Sequence, residues 1–157
     1  TTLPLATKAA GTYRARARER GWEPAAEDVL YRVSFHVADS DEQAMKDFEE
    51  SRNYPQRLSP IRMNQGLERV VAATGYYGSD MTKQQARNLQ GSGILDRIEE
   101  GQVIIGSPNT VVAQVKRIKD TLGAGVLDLN SAFQIGERTT RSIRMFGEQV
   151  LPRIADL

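Results

Sequence analysis

The chain has 157 residues, a net charge of +1, one histidine and no cysteine. That composition excludes disulfides, thiolate or histidine-cluster metal sites and a cysteine nucleophile, and gives no reason to expect nucleic acid as a partner. The length suits a single domain over 1–157 that buries roughly 70% of its unfolded surface; no run approaches the ~20 apolar residues of a membrane span and no signal-peptide pattern appears, so the default compartment is cytoplasmic.

The opening TTLPLATKAA fits either a processed amino terminus or a segment of a longer polypeptide. Helix is predicted from Leu5 to Arg20, stopped by Gly21 and Pro24. Arg14, Arg16, Arg18 and Arg20 recur every second residue and so spread around the cylinder, which favours a solvated helix over a phosphate-binding stripe. Val29 to Val37 (VLYRVSFHV) is β-branched and aromatic and predicts a strand. Ser40-Asp41-Glu42-Gln43 has capping-box spacing, with the Ser40 hydroxyl on the third amide and Gln43 reaching back. The helix it opens turns Ala44 and Phe48 inward and ends near Tyr54-Pro55.

Regularity then falls. Leu58 to Ala73 reads as a helix with an imperfect apolar face. GYYGSDMTKQQARNLQGSG reads as a mobile lid over about residues 75–93, a length of irregular chain that is often functional. Ile94 to Glu100 predicts a short helix stopped at Gly101.

Val103-Ile104-Ile105 is a continuous apolar run, the mark of a strand buried on both faces. Ser107 is a natural N-cap and Pro108 suits the first helical position. Val111, Val115, Ile118 and Leu122 form an inward stripe that Gly123 ends. Val126 to Leu129 is the next strand, Phe133 to Gly136 a loop, and Arg138 to Val150 the last helix, with Ile143, Phe146 and Val150 inward and Pro152 ending it. Every strand is followed by a helix, so the strands are parallel and the crossovers right-handed. Three such units are either a small open three-layer sheet or part of a larger barrel, because a β/α barrel needs eight.

Four stretches, in order, resemble the bacterial luciferase-like flavin-dependent monooxygenases: Tyr13-Arg14 with Gly21 and Pro24, VADSDEQA from Val37, GSPNTV from Gly106, and SIRMFGEQVLP from Ser142. The resemblance implies the C-terminal portion of a TIM (β/α)8 barrel, with the three strands as its sixth, seventh and eighth. It also implies reduced FMN supplied by a separate flavin reductase, dioxygen, and a small-molecule substrate such as an aldehyde, alkane or sulfonate. Relatives that use deazaflavin share the barrel and transfer hydride. In alkanesulfonate-type members the sixth strand carries an Arg and a His two residues apart. Arg32 falls on that Arg and Ser34 on that His, so both become catalytic candidates, while the missing histidine puts a sulfonate substrate in doubt. The family's main flavin-phosphate contacts lie in earlier units that this chain lacks.

Strand ends and the loops after them carry the chemistry of such barrels. That rule makes Ser107, Phe133, Gln134 and Gly136 candidates for FMN contact, against a bland reading of Ser107 as a cap and of the others as loop packing. Tyr76 and Tyr77 are candidates for the lid, or ordinary exposed tyrosines. His36 reads as a strand residue whose ring is hydrogen-bonded locally, and Asp128, inside a strand, must be paired or face the barrel mouth. Asp41-Glu42 and Glu49-Glu50 read as helix-surface acids. The leading reading is a monooxygenase portion that is inactive alone. The alternatives are a non-catalytic half-barrel that self-associates or complements another chain, giving a homo-oligomer, and a deazaflavin-dependent reductase.

Overall fold

The computed structural model describes residues 1–52, 93–132, 136–155 and 157. The predicted helix over 58–73, nearly all of the segment 75–93 with Tyr76 and Tyr77, and Phe133 and Gln134 lie outside the described residues.

Helix α1 (Leu3–Glu19) starts two residues earlier than the sequence suggests, because Pro4 is accommodated where a helix lacks amide partners anyway. It ends on Gly21 at φ 81°, with Gly21 N–H donated to Arg18 O and Trp22 N–H to Ala17 O. This is the paired closure that a left-handed glycine permits. Arg14 projects from α1 and donates to Leu122 O (2.9 Å) and Gly123 O (2.8 Å), so it serves as a cap for another helix.

Strand β1 (Leu30–Val37) turns Tyr31, Val33, Phe35 and Val37 to one face, all buried, and the even-numbered residues to the other. Helix α2 (Asp41–Arg52) follows, with Gln43 N–H on the Ser40 hydroxyl at 3.1 Å. The reciprocal half of the expected capping box is not made, because the Gln43 side chain reaches forward to Asp47 instead. Helix α3 (Ile94–Glu99) leads into strand β2 (Val103–Gly106), every residue of which is buried. Helix α4 (Pro108–Leu122) has Ser107 as its N-cap and Gly123 at φ 64° as its stop. Strand β3 (Val126–Ser131), half-buried except at the exposed Val126 and Asn130, precedes helix α5 (Glu137–Met145), a π-turn over Phe146–Val150 and the short helix α6 (Leu151–Ile154). Pro152 therefore does not end the helical path. The wider turn just before it absorbs the missing amide and the bulk of the ring. Ile143 is 54% exposed instead of inward; Ser142 and Met145 take the buried positions, fixed by Val37 N–H donating to the Ser142 hydroxyl at 2.8 Å.

Among the described residues all strand pairing is parallel, and the strand order is β2-β1-β3. Consecutive rungs of a barrel would instead run β1-β2-β3, so the expectation of the sixth, seventh and eighth rungs in chain order is corrected. The cause is visible in the two cores. Tyr31, Val33, Phe35, Val37 and Ile104 meet α1, α4 and the π-turn on one face. Val103 and Ile105 meet Ala44, Phe48 and the α3 isoleucines on the other. Crossovers of one hand that run over opposite faces step in opposite directions, so α4 carries the chain back past β1. Phe35 and Phe146 meet edge-to-face at 5.2 Å in the larger core, worth ~1 kcal/mol beyond the area they bury.

Candidate functional site

A cavity of about 400 Å³ opens at the carboxyl end of β1, between α2 and the start of α5. This is the end of a parallel sheet where ligands bind. His36 and Val37 form its floor, Asp39, Gln43 and Asp47 one wall, and Glu137, Arg138 and Arg141 the other.

The cavity is organised around Asp47, a carboxylate on the inward stripe of α2 and only 5% exposed. A charge so deep requires partners, and it has three. His36 Nε2 lies 2.8 Å from one carboxylate oxygen, while Gln43 Nε2 at 2.8 Å and Arg138 Nε at 3.3 Å share the other. Arg138 also donates to the Asp47 carbonyl and, at 2.8 Å, to Glu50. Arg141 pairs with Asp39 at the rim. Burial pushes the His36 ring below its ordinary range, against the upward pull of the Asp47 hydrogen bond. A neutral ring facing a carboxylate must present its N–H there, so Nε2 carries the proton. A carboxylate-oriented imidazole is the arrangement of a general base. Here the ring is 2% exposed and its Nε2 is engaged, so the pair ties β1 to α2 and shapes the cavity floor.

The catalytic candidates sit elsewhere. Arg32 and Ser34 share the sheet face of His36 but lie toward the amino end of β1 and do not line the cavity. Arg32 Nε is 2.6 Å from Asp128 Oδ2, its register partner on β3, which meets the pairing expected of that in-strand carboxylate. Ser34, half-buried, stands in register with Asn130. Ser107 caps α4 through Thr110 N–H. Its own amide is donated to Asp41 Oδ1 at 2.6 Å, and the Thr110 hydroxyl to Asp41 Oδ2 at 2.9 Å. Asp41 is thus no idle surface acid: the Ser107 N–H holds its carboxyl below the usual range, and it fills the helix start that could have held an outside anion. Gly136 caps α5 through its carbonyl, which accepts Thr140 N–H at 2.9 Å, and adjoins the cavity wall at Glu137. Asp47 and Arg138 escaped the sequence reading. The available signal was an acid between Ala44 and Phe48 on an inward stripe, which demands a cation nearby.

A luciferase-like monooxygenase family model matches residues 2–125. The chain belongs to that family. No curated protein matches it. Among solved structures it is similar to monooxygenase RslO1 from Streptomyces bottropensis, with 21% identity, a TM-score of 0.62, and coverage of 98% of this chain and 39% of that one. It is also similar to the oxygenating constituent of 3,6-diketocamphane monooxygenase from Pseudomonas putida, solved with FMN, at 18% identity, TM-score 0.63, and 98% and 41% coverage. The long-chain alkane monooxygenase LadA aligns at 15% identity and TM-score 0.56 over 98% of this chain and 34% of its own. These likenesses speak to the fold: parallel β/α units of the luciferase-like TIM-barrel type, with the chain spanning about two-fifths of the first two structures. FMN would need an anion cradle for its phosphate, yet the α4 start is taken by Asp41, and Arg138 and Arg141 are committed to Asp47, Glu50 and Asp39. The described residues alone do not fit the flavin. Among them, no helix is long and apolar enough to cross a membrane and no group of acids and histidine is placed to hold a metal.

Proposed function

We propose that this chain is the C-terminal β/α portion of a flavin-dependent luciferase-like monooxygenase, whose whole polypeptide oxidises a small organic substrate with dioxygen and reduced FMN from a separate reductase. The family match over residues 2–125 carries this reading. The FMN complex of the diketocamphane enzyme, a structure of the same fold, supports the choice of flavin. In the whole enzyme Arg32 and Ser34, on the polar face of β1, serve the substrate side, and Gly136, at the start of α5, the flavin side, whereas Ser107, engaged by Asp41 and Thr110, keeps to capping α4. Phe133, Gln134, Tyr76 and Tyr77 keep the flavin and lid roles assigned from sequence. The chain alone has no phosphate cradle among its described residues and is inactive.

Flavin fluorescence quenching and oxygen uptake with reduced FMN test this on the chain and on a polypeptide that also carries the remaining β/α units. The longer protein is expected to bind and turn over, with the chain alone weaker by about 100-fold or more. Uptake of reduced deazaflavin in place of FMN would favour the hydride-transfer reading. A longer protein that handles neither would overturn both.

A further inference from the structure

Arg32 is held differently from the other arginines. Among the described residues, each other arginine that has a bonded partner spends a terminal amino group on it. Arg14 gives both to the carbonyls of Leu122 and Gly123, Arg18 adds Nη2 to Nε on Glu23, and Arg138 gives Nη2 to Glu50. Arg32 donates through Nε alone, to Asp128 Oδ2 at 2.6 Å. The carboxylate is the deeper member of the pair, 32% exposed against 71% for Arg32. The acid is therefore the anchor, and the guanidinium presents its two terminal amino groups.

The pair belongs to a small polar array. Tyr31, Val33, Leu127 and Leu129 pack into the larger core with α1, α4 and the π-turn. Because side chains alternate along a strand, Arg32, Ser34, Asp128 and Asn130 stand on the opposite face. They are matched across the ladder, Arg32 with Asp128 and Ser34 with Asn130. An ion pair this exposed contributes little to stability, so folding does not explain it. Orientation does. A guanidinium already fixed at Nε loses less freedom when its outer fork meets an acceptor.

We infer that Asp128 is a positioning residue for Arg32: it holds the guanidinium by Nε and so aims the two terminal amino groups at an acceptor oxygen of the substrate. The inference rests on the substrate-side role given to Arg32 above and adds the residue that orients it. It also narrows the substrate. In an enclosed site a bare hydrocarbon would leave those donors unpaired, which is costly. The Asp128 carboxylate already balances the charge, so the matching group is an uncharged oxygen such as a carbonyl.

The test uses the polypeptide that also carries the remaining β/α units, with octanal and octane as probes and oxygen uptake above the substrate-free rate as the readout. Octanal is expected to stimulate uptake and octane to leave it unchanged. Asp128→Ala is expected to lower kcat/KM for octanal about tenfold, chiefly through KM, and Asp128→Glu to recover part of the loss. Arg32→Lys lacks both Nε and the fork and is expected to lose at least as much, with Asp128→Ala costing nothing further on top of it. Melting temperature and reduced-FMN binding are expected to stay at the parent values throughout. Glu19→Gln, which breaks the comparable exposed pair with Arg16 on α1, is expected to change nothing. In the present chain alone, the Arg32 Nε–H is expected to give a slowly exchanging NMR signal that Asp128→Ala removes, a readout that stands even if a longer variant misfolds. Additive losses in the double variant, an activity loss that tracks melting temperature, no preference for octanal over octane, or an Nε–H signal indifferent to Asp128 each overturns the inference. A longer protein that binds no reduced FMN fails before any probe is added; that result overturns the functional reading, and the inference with it.

Discussion

The His36 ring of β1 and the Asp47 carboxylate of α2 meet at 2.8 Å, with side chains 2% and 8% exposed. This hydrogen bond joins the central strand to the helix that covers its carboxyl end. Asp47→Ala removes the acceptor for His36, Gln43 and Arg138 together. The expected loss is about 2–3 kcal/mol of unfolding free energy, with Asp47→Asn losing less because one acceptor survives. Urea denaturation of both variants checks the ranking, and an alanine variant as stable as the parent contradicts it.

His36 gives the chain a pH dependence of defined sign. Burial depresses its folded pKa below the ordinary imidazole value of about 6.5, so the unfolded chain binds the proton more readily. Stability from this group is fully present above about pH 6.5 and is lost as pH falls toward the depressed folded value. It is the only histidine, so one imidazole titration by NMR reads it directly. A folded pKa above 6.5, or stability that rises on acidification through that window, contradicts the assignment.

Gly125 and Gly11 should respond oppositely to alanine. A Cβ at Gly125 would lie 2.5 Å from the Ala26 carbonyl carbon and from Glu27 N, backbone atoms that cannot step aside. Gly125→Ala is expected to cost more than about 2 kcal/mol. Gly11 is in mid-helix with nothing within 4 Å of a built Cβ, so Gly11→Ala is expected to stabilise by about 1 kcal/mol. Thermal melts of the pair decide, and shifts of the same sign would show that the packing at one of them is misread.

The Gln114 carboxamide of α4 closes the outer edge of β2: Ile105 N–H is donated to its oxygen at 2.8 Å, and its nitrogen donates to Ile105 O at 3.2 Å. Gln114→Ala unseals β2. Leaving Ile105 N–H and C=O without their side-chain partner is expected to cost about 1–2 kcal/mol and to leave the outer edge of β2 open. Gln114→Glu keeps the acceptor for the amide but faces the carbonyl with a carboxylate, and it is expected to fare no better. Unchanged exchange at the Ile105 amide in both variants would refute the seal.

The sequence told much about elements and little about neighbours. Strands β1 and β2 and helix α4 were legible because their punctuation is chemical: an apolar run, a serine–proline start, and a glycine at φ 64° for a stop. The pairing of Asp128 was legible because a carboxylate within a strand needs a cation. Strand order was not, since a periodicity of two reports which face a residue occupies and not which strand lies beside it. Ile143 was misplaced for a related reason: a hydroxyl, Ser142, docks α5 on Val37 N–H, and hydropathy cannot see such an anchor. Asp41 acts on Ser107, 66 residues away, and Gln114 reaches back nine residues to Ile105; no recognised motif marks either contact.

Trp22, the sole tryptophan, stands edge-on to Tyr13 at 5.7 Å just past the close of α1. Intrinsic fluorescence will consequently watch one frayable corner and stay blind to the sheet. An emission curve that runs ahead of the circular dichroism curve would signal undocking of the first helix, not loss of the whole molecule.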